Sequence, residues 1–347
     1  MNISKLSAEI QERIKNVLQN DDFRKICLRE RNRTDFDEML TNSLKIAGID
    51  VSNIHENRGL ISNVHLFTPE QIKNDVFEFY ASLDSLEPNG INLIDRLKEN
   101  SKYIRIKPRT PDERAYCRSG TEKNGSVYKE IFINLENRVG DTGTAIHELC
   151  HSCCTQFMEC IRSKDCRVSE IPSVITDQLS SRFLKKKYPL FAENFLENDK
   201  FTQKQNVKKA RECVFDALLT KVMCGEISLT EVFQGYGDMF NDFPDILENK
   251  LRSIERNDYK PFYEYSYLVP QAIALEMRER FKTQPELVAK QLKEIIKDNH
   301  KLTEEQVLDY LGLPQKDKLL DDYASKFQDR IQQINAEQKL LKDKCLN

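Results

Sequence analysis

A chain of 347 residues with 53 Lys and Arg against 56 Asp and Glu carries a net charge of −3, so no basic footprint marks it for nucleic acid. No apolar run approaches the ~18 residues of a membrane span. Charged residues make up 31% of the chain and only 11 glycines are present, a balance that predicts a mainly α fold with a large core, in one domain or two.

Residues 1–100 read as an N-terminal helical subdomain. The opening MNISKLSAEIQERIKNVLQN is an amphipathic helix without the features of a signal peptide. Gly48 and Asn89-Gly90 mark breaks, and Thr68-Pro69-Glu70-Gln71 has the pattern of a capping box with Pro at the first helical position. This stretch carries no evident chemistry and reads as packing. Residues 101–347 read as the catalytic domain. It is entered by a strand over 103–108 and continues through polar loops at Pro108 to Pro111 and Gly120 to Ser126.

YKEIFINLE, residues 128–136, has the alternation of a strand, which is expected to offer its edge to an extended peptide. Asn137 to Gly143 supplies turn and cap residues, with Asp141 and Thr142 as N-cap candidates. A helix is then expected to about Arg162 along Ala145, Ile146, Leu149, Cys153 and Phe157. It carries His147-Glu148-Leu149-Cys150-His151, which holds two of the five histidines in the chain. Histidines four apart share a helix face and can reach one metal ion. The glutamate between them is placed to take a proton from a metal-activated water.

Catalytic zinc usually takes three protein ligands and leaves one position open. Glu170, 19 residues beyond His151 in SEIPSVITDQLSSRFL, is the leading third ligand, with Asp165 and Glu159 behind it. An acidic residue in the first turn of a helix is the plain alternative for Glu170. Asp177, two turns further on the same face, can orient a ligating imidazole.

Three blocks carry a resemblance. IFINLENRVGDTGTAIHELCHSCC, VSEIPSVITD and KPFYEYSYLVPQAIALEM are similar, in order and spacing, to the strand–zinc helix, third-ligand helix and Tyr-rich helix of the thimet oligopeptidase and oligoendopeptidase F family. With a weaker likeness through VLDYLGLP, they cover about residues 131–313. The resemblance implies a mainly helical zinc-peptidase (gluzincin) fold with a small sheet beside the active-site helix. It implies one Zn²⁺ held by His147, His151 and Glu170, with Glu148 as general base. It also implies an oxyanion donor from the later tyrosines, Tyr265 first and Tyr259 next. The chain departs from the family where Cys150 precedes the second zinc histidine and Cys154 follows it. It also has no histidine between His151 and His300, which leaves Arg256 as the nearest cation.

The tyrosines also have a plain reading as core residues. Tyr259, Tyr263 and Tyr267, spaced by four, are expected on one helix face. Five cysteines, Cys150, Cys153, Cys154, Cys160 and Cys166, lie near the motif. They read as reduced thiols that pack as small apolar groups, with an approach of Cys154 to the metal as the alternative.

The stretch 185–209 is charged enough to suggest a surface excursion, and Ser228 to Glu231 and Thr303 to Gln306 are further capping boxes. Leu320, Tyr323, Phe327, Ile331 and Ile334 form a stripe read as a helix packed on the core. His55, His65 and His300 have no partner at ligand spacing.

The function expected is a cytoplasmic zinc metallopeptidase acting on short peptides or an exposed segment of a particular protein. The alternative is a weakly active or inactive relative that binds peptide or protein, and delivery into another cell is compatible with both.

Overall fold

The computed structural model describes residues 8–54, 67–100, 104–108, 115–121, 127–135, 139–154, 167–240, 245–298 and 301–345. In chain order the first helices are α1 (Ala8–Leu18), α2 (Asp21–Arg31), α3 (Phe36–Ala47), α4 (Pro69–Leu86) and α5 (Leu93–Asn100). Three strands follow, β1 (Ile104–Pro108), β2 (Tyr116–Thr121) and β3 (Val127–Leu135). Next come α6 (Gly140–Cys153), α7 (Arg167–Lys187), α8 (Ala192–Met223), α9 (Leu229–Tyr236) and α10 (Asp245–Glu255). The series ends with α11 (Leu268–Phe281), α12 (Pro285–Asp298), α13 (Glu304–Leu311), α14 (Lys316–Ser325) and α15 (Phe327–Cys345). The fold is mainly helical with one small sheet, and no described helix is long and apolar enough to cross a membrane.

Residues group into two compact units, neither of them one continuous stretch. The first comprises Met1–Ile54, Gln203–Leu268 and Leu320–Ser325. The second comprises His55–Thr202, Val269–Leu319 and Lys326–Asn347.

Local signals account for many of the boundaries. Thr68 caps α4 by accepting from the Gln71 amide at 3.2 Å, with Pro69 at the first position. The side-chain amide of Gln71 donates to the Tyr188 hydroxyl at 3.2 Å. Both arms of the capping box are present at Ser228–Glu231 and at Thr303–Gln306. In α4, Ile72, Val76, Phe79, Tyr80 and Leu83 recur at helical spacing and are all buried. Each such side chain is worth about 1.5–3 kcal/mol on burial. Leu320 and Tyr323 on α14 and Phe327, Ile331 and Ile334 on α15 are buried too, so the expected stripe is divided between two helices rather than carried by one.

The sheet departs from expectation in one respect. Its order is β1-β3-β2, with β1 parallel and β2 antiparallel to β3. The strand that leads into the metal-motif helix is therefore the central one, and its pairing is staggered: β1 runs along Ile131–Leu135 and β2 along Val127–Phe132, so both sides are taken together only at Ile131 and Phe132. Ile131 and Ile133 on one face of β3 and Phe132 on the other are all buried, and Phe132 stacks on Tyr116 at 5.3 Å.

Two further expectations are corrected. The 185–209 stretch is not an excursion but the end of α7, a short turn and the first half of α8, with Phe195, Leu196 and Val207 buried. One of its charges is buried and paired: Asp199 accepts from Arg278 at 3.1 Å and from Ser181 at 2.8 Å. The metal-motif helix starts at Gly140 with Val139 in the capping position, so Asp141 and Thr142 lie in its first turn rather than at its cap. It ends at Cys153, where Cys154 turns extended (ψ 134°), short of Arg162. Residues 155–166, with Phe157, Glu159, Cys160, Asp165 and Cys166, lie outside the described residues, as do His55, His65 and His300. Glycine at position 140 has a reason: a Cβ there would stand 3.0 Å from Asn198 Oδ1.

Candidate metal centre

Helix α6 is held from several directions. It packs on α7 and β3, and α4 and α5 pack against it. Tyr80 of α4 donates its hydroxyl to the Ile146 carbonyl at 2.7 Å, one residue before the first motif histidine. That contact fixes the rotation of the helix where rotation matters most. No sequence signal marks Tyr80, because its partner is a backbone oxygen 66 positions away.

The i, i+4 spacing brings His147 and His151 together with ring centroids 5.0 Å apart. From the first turn of α7, Glu170 reaches across. Its Oε2 lies 3.5 Å from His147 Nε2 and 3.5 Å from His151 Nε2. One ligand atom from each of these three residues lies within 4.8 Å of the other two. Behind His147, Nδ1 faces Asp177 Oδ2 at 2.9 Å. A carboxylate oxygen accepts in that bond, so the Nδ1 proton lies in it and Nε2 is the nitrogen turned toward Glu170, a donor while the ring is charged and a lone pair once it is neutral. Ser173, the serine of Glu-x-Pro-Ser, donates to the Glu170 carbonyl at 2.9 Å and stands 3.4 Å from Glu170 Oε2. Its i, i+3 spacing was the readable signal for that role.

The electrostatics of the cluster calls for a cation. Burial opposes charge on His147 and on His151, yet both are held above the ordinary histidine range. Asp177 and Glu170 do this for His147, and Glu170 foremost for His151. Burial alone would raise Glu170, but the two imidazoles pull it well below the usual carboxylate range. Glu148 is raised by burial, an effect the imidazoles oppose and Glu170 and Asp177 reinforce. Two imidazole lone pairs and a carboxylate aimed at one point repel unless positive charge lies between them. Protons can supply that charge, and so can a divalent ion, which displaces them on binding. Two nitrogens and one oxygen form a donor set suited to zinc, with a fourth position left for water. The residues therefore fit the metal that the motif implies.

Asp177→Asn is expected to keep the fold and lower zinc affinity by about 10–100-fold, because the orienting acceptor is weakened while the ligands remain. Competition against a chromogenic chelator measures it.

Among the described residues no cysteine joins the cluster. Cys150, Cys153 and Cys154 are buried, and burial together with the neighbouring Cys154 thiol pushes the Cys150 thiol well above its ordinary value. Such thiols are poor nucleophiles and behave as small apolar groups.

The two candidate tyrosines belong to the first compact unit, whereas His147, Glu148, His151 and Glu170 belong to the second. Tyr259 donates its hydroxyl to Asp216 Oδ1 at 2.6 Å. Asp216 also accepts from Lys250 at 2.9 Å and from the Phe262 amide at 3.0 Å, both through Oδ2. The buried Tyr265 accepts from Asn42 Nδ2 at 3.2 Å. Tyr259 does not share a helix face with Tyr263 and Tyr267. Asn257 (φ 57°) and Phe262 (φ 59°) are both left-handed and break the backbone on either side of it. Only Tyr263–Tyr267 forms a short 3₁₀ turn, in which those two rings meet edge to face at 5.9 Å. Arg256 is exposed.

No protein-family model and no curated protein matches the sequence. The fold has solved counterparts. A solved structure of PZ peptidase A with inhibitor 2 superposes with a TM-score of 0.59 over 90% of this chain and 61% of that one, at 13% identity. This chain shares its fold, mainly helical with a small three-stranded sheet. A protein from Bacillus anthracis str. Ames assigned as oligoendopeptidase F gives a TM-score of 0.54 over 96% of this chain and 62% of that one, at 15% identity. A second structure assigned as oligoendopeptidase F gives 0.55 over 95% and 58%, at 11% identity. At these identities the likeness is one of fold. The chain spans about three fifths of the length of the structures it matches.

Proposed function

We propose that this chain is a zinc-dependent metallopeptidase of the oligoendopeptidase F type, with one zinc ion held by His147, His151 and Glu170. The observation that carries the reading is the convergence of two imidazole nitrogens and one carboxylate oxygen within 4.8 Å on this helical fold, with Glu148 in the same helical turn.

When bound, zinc supplies Lewis acidity, polarising a carbonyl and lowering the pKa of a water toward ~7. The chain's own groups do the rest. Asp177 keeps His147 in the tautomer that leaves Nε2 free to ligate. Glu148, its basicity increased by burial, accepts the water proton and delivers it to the departing amine. A tyrosine hydroxyl donates to the developing oxyanion. Tyr265 is the first candidate and Tyr259 the next, by their position in the Tyr-rich block.

The substrate class is a short peptide or an extended segment exposed on a protein. The absence of a histidine between His151 and His300 favours a second reading, in which the same centre binds peptide but turns it over poorly. Metal analysis of the purified chain combined with cleavage profiling on an unbiased peptide library separates the two. The expected result is one zinc per chain and cleavage that stops on chelation and returns with zinc. Captured peptides that stay intact with zinc in place would favour the second reading. A chain that takes up no zinc would remove both.

A further inference from the structure

The second compact unit contains a cavity of about 370 Å³ bounded by the first turn of α6, the middle of α7 and the start of α8. Its volume is at the small end of ligand pockets. Among the described residues no Lys, Arg or His lines it, whereas Asp141, Asp177 and Asp199 do. These three carboxylates differ. Asp199 is answered by Arg278 from outside the cavity, and Asp141 sits in the first turn of α6, where the helix dipole favours an anion. Asp177 is the one with capacity left. It spends Oδ2 on His147, and its side chain remains 32% exposed.

A second group points to a ligand independently. Gln178 lines the same cavity and is only 5% exposed. Its Oε1 accepts from Arg278 at 3.1 Å, and among the described residues no acceptor takes its Nε2 hydrogens. The Nε2 is not among the fully enclosed unpaired atoms, so it is reachable from the cavity and available to an acceptor there. Val139, Leu184 and Phe195, almost wholly buried, complete the lining with apolar groups. The lining thus combines an anionic acceptor, a neutral amide donor and apolar side chains.

We propose that this cavity binds a small free molecule of amino-acid size that carries an ammonium group beside a carbonyl and an apolar side chain. The ammonium meets Asp177, the carbonyl accepts from Gln178, and the side chain lies against Phe195 and Leu184. The site does not rest on the peptidase reading, since it needs neither the metal nor Glu148.

L-Leucinamide is the probe, and N-acetyl-L-leucinamide, which has the same body without the charge, is its control. Calorimetry is run on the full chain below the pKa of the probe's amine, zinc-loaded and metal-free. Gly143→Leu fills the cavity from one side: a Cβ at Gly143 meets only Ser180 Oγ, at 3.8 Å, and leucine suits a helix better than glycine. One leucinamide per chain is expected in both metal states, with binding at least tenfold weaker for the acetylated control and for Gly143→Leu. No saturable binding, equal binding of the acetylated form, or binding untouched by Gly143→Leu in a variant that unfolds at no lower temperature would each overturn the site. Should Gly143→Leu fail to fold, the comparison of charged and acetylated probes decides alone.

Discussion

Glu148→Gln leaves zinc content at one per chain and lowers peptide hydrolysis by about 10²–10⁴-fold, the usual contribution of a positioned general base. The substitution keeps the size and shape of the side chain and removes its ability to accept a proton. Zinc should stay because Glu148 is not one of the three residues whose ligand atoms converge; those are His147, His151 and Glu170. The fold should also hold. Glu148 is half-buried and feels two further carboxylates, Glu170 and Asp177, whose charges push it up, so neutralising it relieves a like-charge conflict. The measurement pairs elemental zinc with the steady-state rate on a peptide found by profiling. A variant that cuts as fast as the parent takes the base role away from Glu148. A variant that loses zinc as well would move Glu148 from chemistry to the architecture of the site.

The parts of this molecule that could be read from its sequence are those whose physics is local. The period of two in β3 and the i, i+4 pair on α6 need only neighbouring residues. The capping boxes at Ser228 and Thr303 need only three-residue spacing, and both form in full. Glu170 and Asp177 were legible as a pair because two turns of α7 place them on one face, and the structure sets both against His147. What was not legible depends on distant partners. The central place of β3 is set by pairing with β1 and β2, whose positions in a sheet no periodicity reveals. Residues 185–209 looked like surface because charge can be counted in a sequence, while its burial against Arg278 cannot. The helix face assigned to Tyr259 failed at Phe262, where a non-glycine residue holds φ 59°. Such a residue costs on the order of 1–2 kcal/mol. The hydrogen bond that its amide N–H donates to Asp216 and the edge-on contact of its ring with Phe36 at 5.6 Å offset the cost, and both partners lie far away in the chain.

Glu170→Ala abolishes zinc-dependent cleavage and weakens zinc binding by more than the ~10–100-fold typical of losing an orienting partner, because a ligand itself is removed. The cluster also loses the charge that made it cation-seeking. Glu170 is the leading group holding the buried His151 imidazole above its ordinary range, and it helps to hold His147 there. Without that carboxylate, two desolvated imidazoles face each other and burial prevails. Thermal unfolding gives a readout independent of activity. A ligand that binds only the folded state adds about 2.7 kcal/mol at a concentration 100 times its Kd, so zinc raises the parent's midpoint. The same zinc concentration should leave the Glu170→Ala midpoint almost unmoved. The competing account of Glu170, an acid placed in the first turn of α7 for the helix dipole, makes the opposite forecast. It expects a loss of about 0.3–1 kcal/mol in the metal-free protein and an undiminished response to zinc. A third outcome separates the remaining acids. If zinc stays bound at one per chain while Glu170→Ala unfolds as the parent does, the third ligand is Glu159 or Asp165, and the approach of Glu170 to the two imidazoles at 3.5 Å is an ion pair rather than a coordination site.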